Sequence, residues 1–285
     1  MKNNSVLIVG CGDLGIRTGL DLYAEGWEVH GLRRNPDALP GEFTAHRGDY
    51  TQPGELDFAH DLRPGFVIAS CNPVERSEAG YRLGFLGGAR NILSSFGDHR
   101  PRRILFVSST RVQAGAGGAR VDVNSRLASE VPLACAIIEA DQAMLQSPHA
   151  VTVVRFAGIY GNPRGRLLSR IRRGELCEPS PGRWSNRIHR EDCAGFLTHL
   201  MKSDEAGRAI EPVYIGVDDR PELQFEVESW LAREMGVPLG KAQADPATAS
   251  GKRCINRLLH ASGYRLRYPD YKSGYRAVLE ADPAE

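Results

Sequence analysis

The strongest constraint on this chain is a glycine-punctuated turn set directly after a short apolar run. Val6, Leu7, Ile8 and Val9 are consecutive apolar residues, the pattern of a parallel strand buried on both faces. Gly10, Gly12 and Gly15 follow as G-x-G-x-x-G. Leu14, Ile16, Leu20, Leu22 and Tyr23 then suggest one apolar helical face, and Trp27 to Leu32 reads as a second strand. Strand, glycine turn, helix and strand fit within about 30 residues, the frame of a dinucleotide-binding unit. In that frame Gly10 permits the tight turn, Gly12 lets a pyrophosphate approach the backbone, and Gly15 lets the helix pack close to the strand. The helix start at Asp13 and Leu14 offers free N–H groups and a partial positive charge to the phosphates. Gly10, Gly12, Asp13, Leu14 and Gly15 are therefore expected to bind the cofactor. Because 31 of the 285 residues are glycine, the alternative is a purely structural turn.

Further strands are expected at Phe43–Arg47, Gly65–Ser70, Arg103–Ser109, Val151–Phe156 and Val213–Val217. Helices are expected over Arg76–Phe96, Pro132–Gln146, from the stretch Arg187–Asp192 to about Met201, and over Pro221–Met235. Residues 114–119 read as a loop, and residues 236–251 as a flexible one. Strands alternating with helices give an α/β fold, a doubly wound parallel sheet, with ligands at the carboxyl ends of the strands. Those ends are Gly10, Arg33, Ser70, Ser109 and Phe156. The pattern changes after residue 157, so residues 1–157 are read as the nucleotide domain. Residues 158–285 are read as a smaller substrate-binding cap interleaved with it.

The second strand ends in Arg33-Arg34 with no acid. A free ribose 2′-hydroxyl usually meets a carboxylate there, whereas a 2′-phosphate prefers arginine. NADP is favoured over NAD on this ground, the alternative being a solvated basic loop. Asp49, in Gly48-Asp49-Tyr50, is read as an acceptor for the adenine amino group or as a plain turn residue. Ser70 ends the fourth strand and joins the cofactor set.

Residues 161–190 carry eight arginines against two acids, Glu175 and Glu178. They suit an anionic small-molecule substrate or a solvated basic face. Net charge of +1 and Trp184 as the sole aromatic of that run argue against nucleic acid. No apolar run reaches the length of about 20 residues that a membrane-spanning helix needs, and no signal peptide is read. The six cysteines show no C-x-x-C spacing and are taken as reduced thiols of a cytoplasmic protein, with no metal site. A monomer or homodimer is expected.

The glycine fingerprint, Ser108-Ser109-Thr110, Arg155-Phe156-Ala157-Gly158-Ile159-Tyr160-Gly161 and Asn186-Arg187-Ile188-His189 together resemble the extended short-chain dehydrogenase/reductases. More narrowly, the chain is similar to the NAD-dependent epimerase/dehydratase family and its atypical members. The resemblance implies a Rossmann fold and an NAD(P)-dependent oxidoreductase acting on a small polar or sugar-nucleotide substrate. It also implies a catalytic Ser or Thr followed by Tyr-x-x-x-Lys. Ser109 fits the first role, but the Tyr and Lys positions fall near Leu133 and Ile137. No tyrosine lies between Tyr81 and Tyr160, and no lysine between Lys2 and Lys202. A Tyr-x-x-x-Lys does occur at Tyr268–Lys272, but it lies far outside the nucleotide fold and spans Pro269. Tyr160 and His189 are the candidate proton donors, with Ser109 orienting the substrate. Structural packing for Tyr160 and helix capping for His189 stand as alternatives. A non-catalytic NAD(P)-binding redox sensor is the alternative function.

Overall fold

The computed structural model describes residues 4–238 and 245–281. Among them the strands, in chain order, are β1 (Ser5–Val9), β2 (Glu28–Arg33), β3 (Thr44–Arg47), β4 (Phe66–Ser70), β5 (Arg103–Ser109), β6 (Ala119–Val121), β7 (Val151–Phe156), β8 (Gly158–Tyr160), β9 (Trp184–Ser185), β10 (Arg187–His189), β11 (Val213–Gly216), β12 (Glu222–Leu223) and β13 (Lys252–Cys254). The helices are α1 (Asp13–Ala24), α2 (Phe58–Leu62), α3 (Glu78–Tyr81), α4 (Gly88–Ser94), α5 (Pro132–Leu145), α6 (Arg166–Arg172), α7 (Arg190–Glu205), α8 (Gln224–Glu234), α9 (Arg257–Ala261) and α10 (Tyr271–Glu280). No described helix is long and apolar enough to cross a membrane. All six cysteines are free thiols.

A parallel sheet in the order β11-β7-β5-β4-β1-β2-β3 forms the centre of the fold, a Rossmann-like α/β arrangement. Its middle strands are apolar because both faces are covered: Val6–Val9, Val67–Ala69 and Ile104–Phe106 are fully buried. By contact clustering the chain forms two compact units. One comprises residues 1–112, 127–155 and 194–214, the other residues 113–126, 156–193 and 215–285.

Two helices of the first unit depart from expectation. The buried face of α1 is Gly15, Thr18, Gly19 and Leu22, while Leu20 and Tyr23 are exposed. A Cβ on Gly15 would lie 2.8 Å from Ile8 Cγ2, and one on Gly19 would strike the Phe43 ring. The helix lies too close to the sheet for large side chains, so small ones make the contact. The run expected as one helix over Arg76–Phe96 is instead α3, a π-helical segment Arg82–Gly87 and α4. Here a Cβ on Gly84 would collide with the Asn72 carbonyl, and one on Gly88 would lie 2.7 Å from the Tyr50 ring. These glycines let the helical run press against the loops that follow β3 and β4. Elsewhere in this unit, the Asp204 carboxylate receives Arg102 Nε at 2.6 Å and Arg103 Nε at 2.7 Å.

The second unit contains strand pairs that short windows of sequence do not reveal: β8 with β10, β9 with β12, and β6 with β13. Of the loop expected at 114–119, Ala119 already belongs to β6. Within residues 236–251, positions 239–244 lie outside the described residues, and Pro246–Thr248 form a 3-10 turn. An apolar cluster of Leu168, Ile171, Val227, Trp230, Leu231, Tyr271 and Val278 joins α6, α8 and α10. Asp192, in the first turn of α7, accepts N–H groups of Arg267 (2.6 Å) and Tyr268 (3.0 Å) and the Tyr264 hydroxyl (3.2 Å).

Asp218, just past β11, is 1 % exposed. Its Oδ1 accepts the Arg220 N–H at 3.1 Å, while Oδ2 is buried without a hydrogen-bond partner. Burial pushes this carboxyl up to about 8, with the Arg220 N–H and Arg187 opposing and Asp219 and Asp270 adding to the rise. The folded chain then keeps a proton that the unfolded chain releases above pH about 4. Stability is expected to fall as pH rises from about 4 to about 8 and to level off above that. Asp218→Asn should remove this slope and raise the unfolding free energy at neutral pH. Denaturant unfolding of both proteins across that range checks it, and identical slopes would refute it.

Candidate functional site

Where β1 ends, Gly10 adopts a left-handed backbone conformation with φ 70°. A Cβ there would also collide with the Ser70 carbonyl oxygen, so glycine is required twice over. The Cys11 N–H donates to the Leu32 carbonyl at 2.9 Å, and the Gly12 N–H to the Gly10 carbonyl at 2.7 Å. These bonds fold the loop over the ends of β1 and β2 and set Gly12 as the N-cap of α1. No side chain caps this helix start, so its leading N–H groups lack intrahelical acceptors. A Cβ on Gly12 would meet nothing nearer than the Gly10 oxygen at 3.9 Å.

Gly12 faces a cavity of about 340 Å³ at these strand ends. One wall is Gly10 to Gly12 and another is Arg33, Arg34 and Asn35; the rest is Gly48, Asp49, Tyr50, Ser70 and Asn72 to Val74. Of the expected cofactor residues, Gly10, Gly12, Arg33, Arg34, Asp49 and Ser70 line this cavity, whereas Asp13, Leu14 and Gly15 do not. Asp13 receives Arg17 Nε at 3.2 Å one helical turn on. The Leu14 carbonyl accepts the Thr18 hydroxyl, and Gly15 is the contact with Ile8 described above.

Arg34 is exposed and reaches within 4.0 Å of Asp49 Oδ2. The other oxygen, Oδ1, accepts the Thr51 N–H at 3.0 Å and its hydroxyl at 2.7 Å. Asp49 is thus a turn residue that still presents one oxygen toward the arginine wall. Tyr50 was not legible as a site residue. Its hydroxyl accepts the Asn72 N–H at 2.9 Å and donates to the Asn72 carbonyl at 3.1 Å, tying the loop after β3 to the loop after β4. Burial pushes its phenol upward. The same effect pushes the Cys11 and Cys71 thiols up to about 12, which keeps them protonated and unreactive.

Ser109 closes β5 in the first unit, and its Oγ accepts the Arg111 N–H at 3.2 Å. Tyr160 and His189 belong to the second unit, in register on β8 and β10, with ring centroids 5.2 Å apart, edge to face. The Tyr160 ring stacks on Tyr275 at 4.3 Å, and its hydroxyl donates to the Asp270 carbonyl at 3.4 Å. Burial pushes this phenol upward, with Asp218 adding to the effect. His189 is 4 % exposed. Its Nδ1 accepts the Glu191 N–H at 3.2 Å at the start of α7, which puts the proton of the neutral ring on Nε2.

Leu133 and Ile137, at the Tyr and Lys positions implied by the resemblance, lie on α5. Ile137 is 1 % exposed. One turn on, the buried Asp141 Oδ2 receives Arg155 Nε at 2.9 Å. Burial is the larger influence on this carboxyl and pushes it upward against Arg155.

No family model matches the chain. A Methylobacillus flagellatus protein classed as an NAD-dependent epimerase/dehydratase is 33 % identical, with a TM-score of 0.86 over 99 % of this chain and 100 % of that one. Protein YeeZ of Escherichia coli K12 is 26 % identical over 276 residues, 93 % of this chain and 96 % of YeeZ. The Bordetella bronchiseptica enzyme WbmG, solved with NAD and UDP, superposes with a TM-score of 0.80 at 16 % identity, over 98 % of this chain and 95 % of WbmG; that likeness is one of fold. With a one-third-identical relative matched end to end, and with the glycine turn built as this fold requires, the chain belongs to the NAD-dependent epimerase/dehydratase family of the extended short-chain dehydrogenase/reductase superfamily.

Proposed function

We propose that this chain binds a nicotinamide dinucleotide in the cavity at the ends of β1 to β4 and works as an NAD(P)-dependent oxidoreductase of the epimerase/dehydratase type. The observation that carries the reading is Gly12. It is a cradle that a Cβ would fill, set at an uncapped helix start and faced by Arg33 and Arg34. A pyrophosphate suits the helix N-terminus by charge and by its acceptor oxygens. The arginine wall suits a 2′-phosphate, which favours NADP over NAD, and Asp49 Oδ2 and Ser70 supply acceptors around the remainder. The nicotinamide, when bound, takes up or returns hydride. In this reading the second unit is the substrate cap, and its excess of arginine suits an anionic substrate such as a sugar nucleotide, as WbmG was solved with UDP.

Proton transfer falls to other residues, because α5 carries Leu133 and Ile137 where the resemblance implies the pair, and the Tyr-x-x-x-Lys at Tyr268–Lys272 spans Pro269. Ser109 orients a substrate hydroxyl or carbonyl. His189 suits acid–base work near neutral pH better than Tyr160, whose burial makes its proton harder to release. A second reading has a specific observation behind it: both aromatic candidates are committed to packing, Tyr160 to Tyr275 and Asp270, His189 to the α7 N-terminus. A redox sensor that binds cofactor without turnover needs neither.

Gly12→Val should place branched carbons in the cradle and abolish NADPH binding in a folded protein. Fluorescence titration checks this, and unchanged affinity would overturn the site. Wild-type protein should bind NADPH about tenfold or more tightly than NADH through charge-assisted hydrogen bonds, and the double substitution Arg33→Ala, Arg34→Ala should erase the difference. Equal affinities in the wild type would refute the arginine reading. In a screen of carbonyl compounds and sugar nucleotides, removing the true donor should cost about 10²–10⁴ in rate. His189→Gln is expected to show that loss, Tyr160→Phe a smaller one. Tight cofactor binding with no turnover anywhere would favour the sensor.

A further inference from the structure

Away from the cavity, the β2–β3 edge of the sheet holds three linked titratable side chains that the proposed chemistry does not use. Glu28 and His30 lie on β2 and His46 on β3. His30 Nε2 stands 3.0 Å from Glu28 Oε1, and His30 Nδ1 stands 3.0 Å from His46 Nε2. In register, His30 faces Thr44 and Leu32 faces His46, so the imidazoles bridge the strands diagonally on one face. His30 is 4 % exposed. The half-buried His46 ring stacks on Phe58 of α2, centroids 4.3 Å apart and planes at 12°. Among the described residues neither imidazole makes a further hydrogen bond or ion pair. The ion pairs of the charged groups on neighbouring elements go to other partners. On α2, His60 and Asp61 pair with each other, and His60 also with Asp98; on α1, Asp13 pairs with Arg17. Asp37, in the turn Pro36–Ala38, forms no bond to either imidazole.

An imidazole–imidazole bond requires one donor and one acceptor. With the His30 Nε2–H given to Glu28, His30 Nδ1 accepts the Nε2–H of His46. One added proton preserves the chain, since a charged His30 donates to Glu28 and to His46 alike. A second makes both facing nitrogens donors and sets two like charges side by side, so the bond is lost. Burial, with His30 beside it, holds His46 below the ordinary imidazole range, so the second proton is taken up only on acidification.

The location gives the event a consequence. β3 is the terminal strand of the sheet, held by β2 alone. Arg33 ends β2 and Arg34 follows it, and Gly48, Asp49 and Tyr50 follow His46. Both sets line the cavity, and the last bond joining them, Gly48 N–H to the Arg33 carbonyl, is already long at 3.3 Å. We propose that Glu28, His30 and His46 form a pH-sensitive latch: a second proton on the imidazole pair frees β3 from β2 and weakens nucleotide binding in the cavity that these strands support. The affinity part of the latch rests on the reading of the cavity as a dinucleotide site.

Calorimetric titration with NAD⁺, which lacks the titrating 2′-phosphate and survives acid, tests the latch between about pH 7.5 and about pH 5. Wild-type affinity is expected to fall about tenfold toward acid, one unit of difference in proton affinity between the latched and open states. His46→Gln keeps a hydrogen-bonding side chain but cannot titrate, and its affinity should stay level. Parallel profiles in the two proteins would overturn the proposal. Backbone hydrogen exchange on the nucleotide-free wild type gives an arm that needs neither variant nor ligand. The β2–β3 ladder should lose protection at the acid end, after correction for intrinsic exchange, while β1 and β4 keep theirs; equal protection at both pH values overturns the latch. If NAD⁺ fails to bind even at about pH 7.5, the cavity reading and the affinity effect fall together, and hydrogen exchange alone decides whether the strands unlatch.

Discussion

The distance at which α1 lies on the sheet governs the rest of the nucleotide end of this molecule. Contact is made through Gly15 against Ile8 and Gly19 against Phe43, where any added carbon would meet a neighbour. A helix held so close delivers its first turn directly above the ends of β1 and β2. Gly10 must then reverse the chain within a single left-handed residue, packed so tightly on Ser70 that no side chain fits. The uncapped start of α1 and the open approach at Gly12 follow from this geometry. One close contact thus fixes the turn and the aim of the helix dipole.

The same device operates on the opposite wall. The helical run after β4 approaches the sheet ends through Gly84 and Gly88, against Asn72 and Tyr50. Tyr50 gathers these parts: its hydroxyl holds both backbone polar groups of Asn72, and its own carbonyl accepts Asn91 Nδ2 at 3.0 Å. A side chain from the β3 loop therefore sets where the β4 loop sits. Buried backbone groups that find such partners are held in one arrangement, which a site needs if it is to be shaped before its ligand arrives.

How far the sequence could be read follows from these contacts. The sheet was legible because its central strands are covered on both faces and so appear as unbroken apolar runs, Val6–Val9 and Phe66–Ala69 among them. The glycine turn was legible because its spacing carries a mechanism. The face of α1 is legible only at Leu22, because large apolar residues are the usual mark of a buried face, whereas here closeness also selects Gly15, Thr18 and Gly19, and Leu20 and Tyr23 point outward. The π-helical segment was missed for a related reason: its glycines read as weak helix formers, while their use lies in tertiary contacts that a sequence window does not contain. Tyr50 stands beside Asp49 in the sequence, but its partner Asn72 is remote along the chain, and only the folded backbone brings them together. The two- and three-residue strands around Trp184 and Lys252 are too short to show any period.

On α5, the position that the resemblance implies for the lysine is built into the core. Ile137 occupies the position implied for the lysine and is 1 % exposed. An ammonium group there would need water or a counter-charge, and the buried carboxylate one turn away, Asp141, is already matched by Arg155 at 2.9 Å. Placing a second cation beside that pair would leave one charge uncompensated in a low-dielectric interior, at a cost of several kcal/mol. Restoring the tyrosine and lysine by two point changes would therefore disturb packing before it restored any proton relay. At this position the helix serves packing. The histidine of the second unit is fixed in a different way. There His189 is held with its Nε2 carrying the proton by a backbone N–H at the start of α7. The Tyr160 ring, stacked on Tyr275 and bonded to a backbone carbonyl, is likewise held in place by its surroundings.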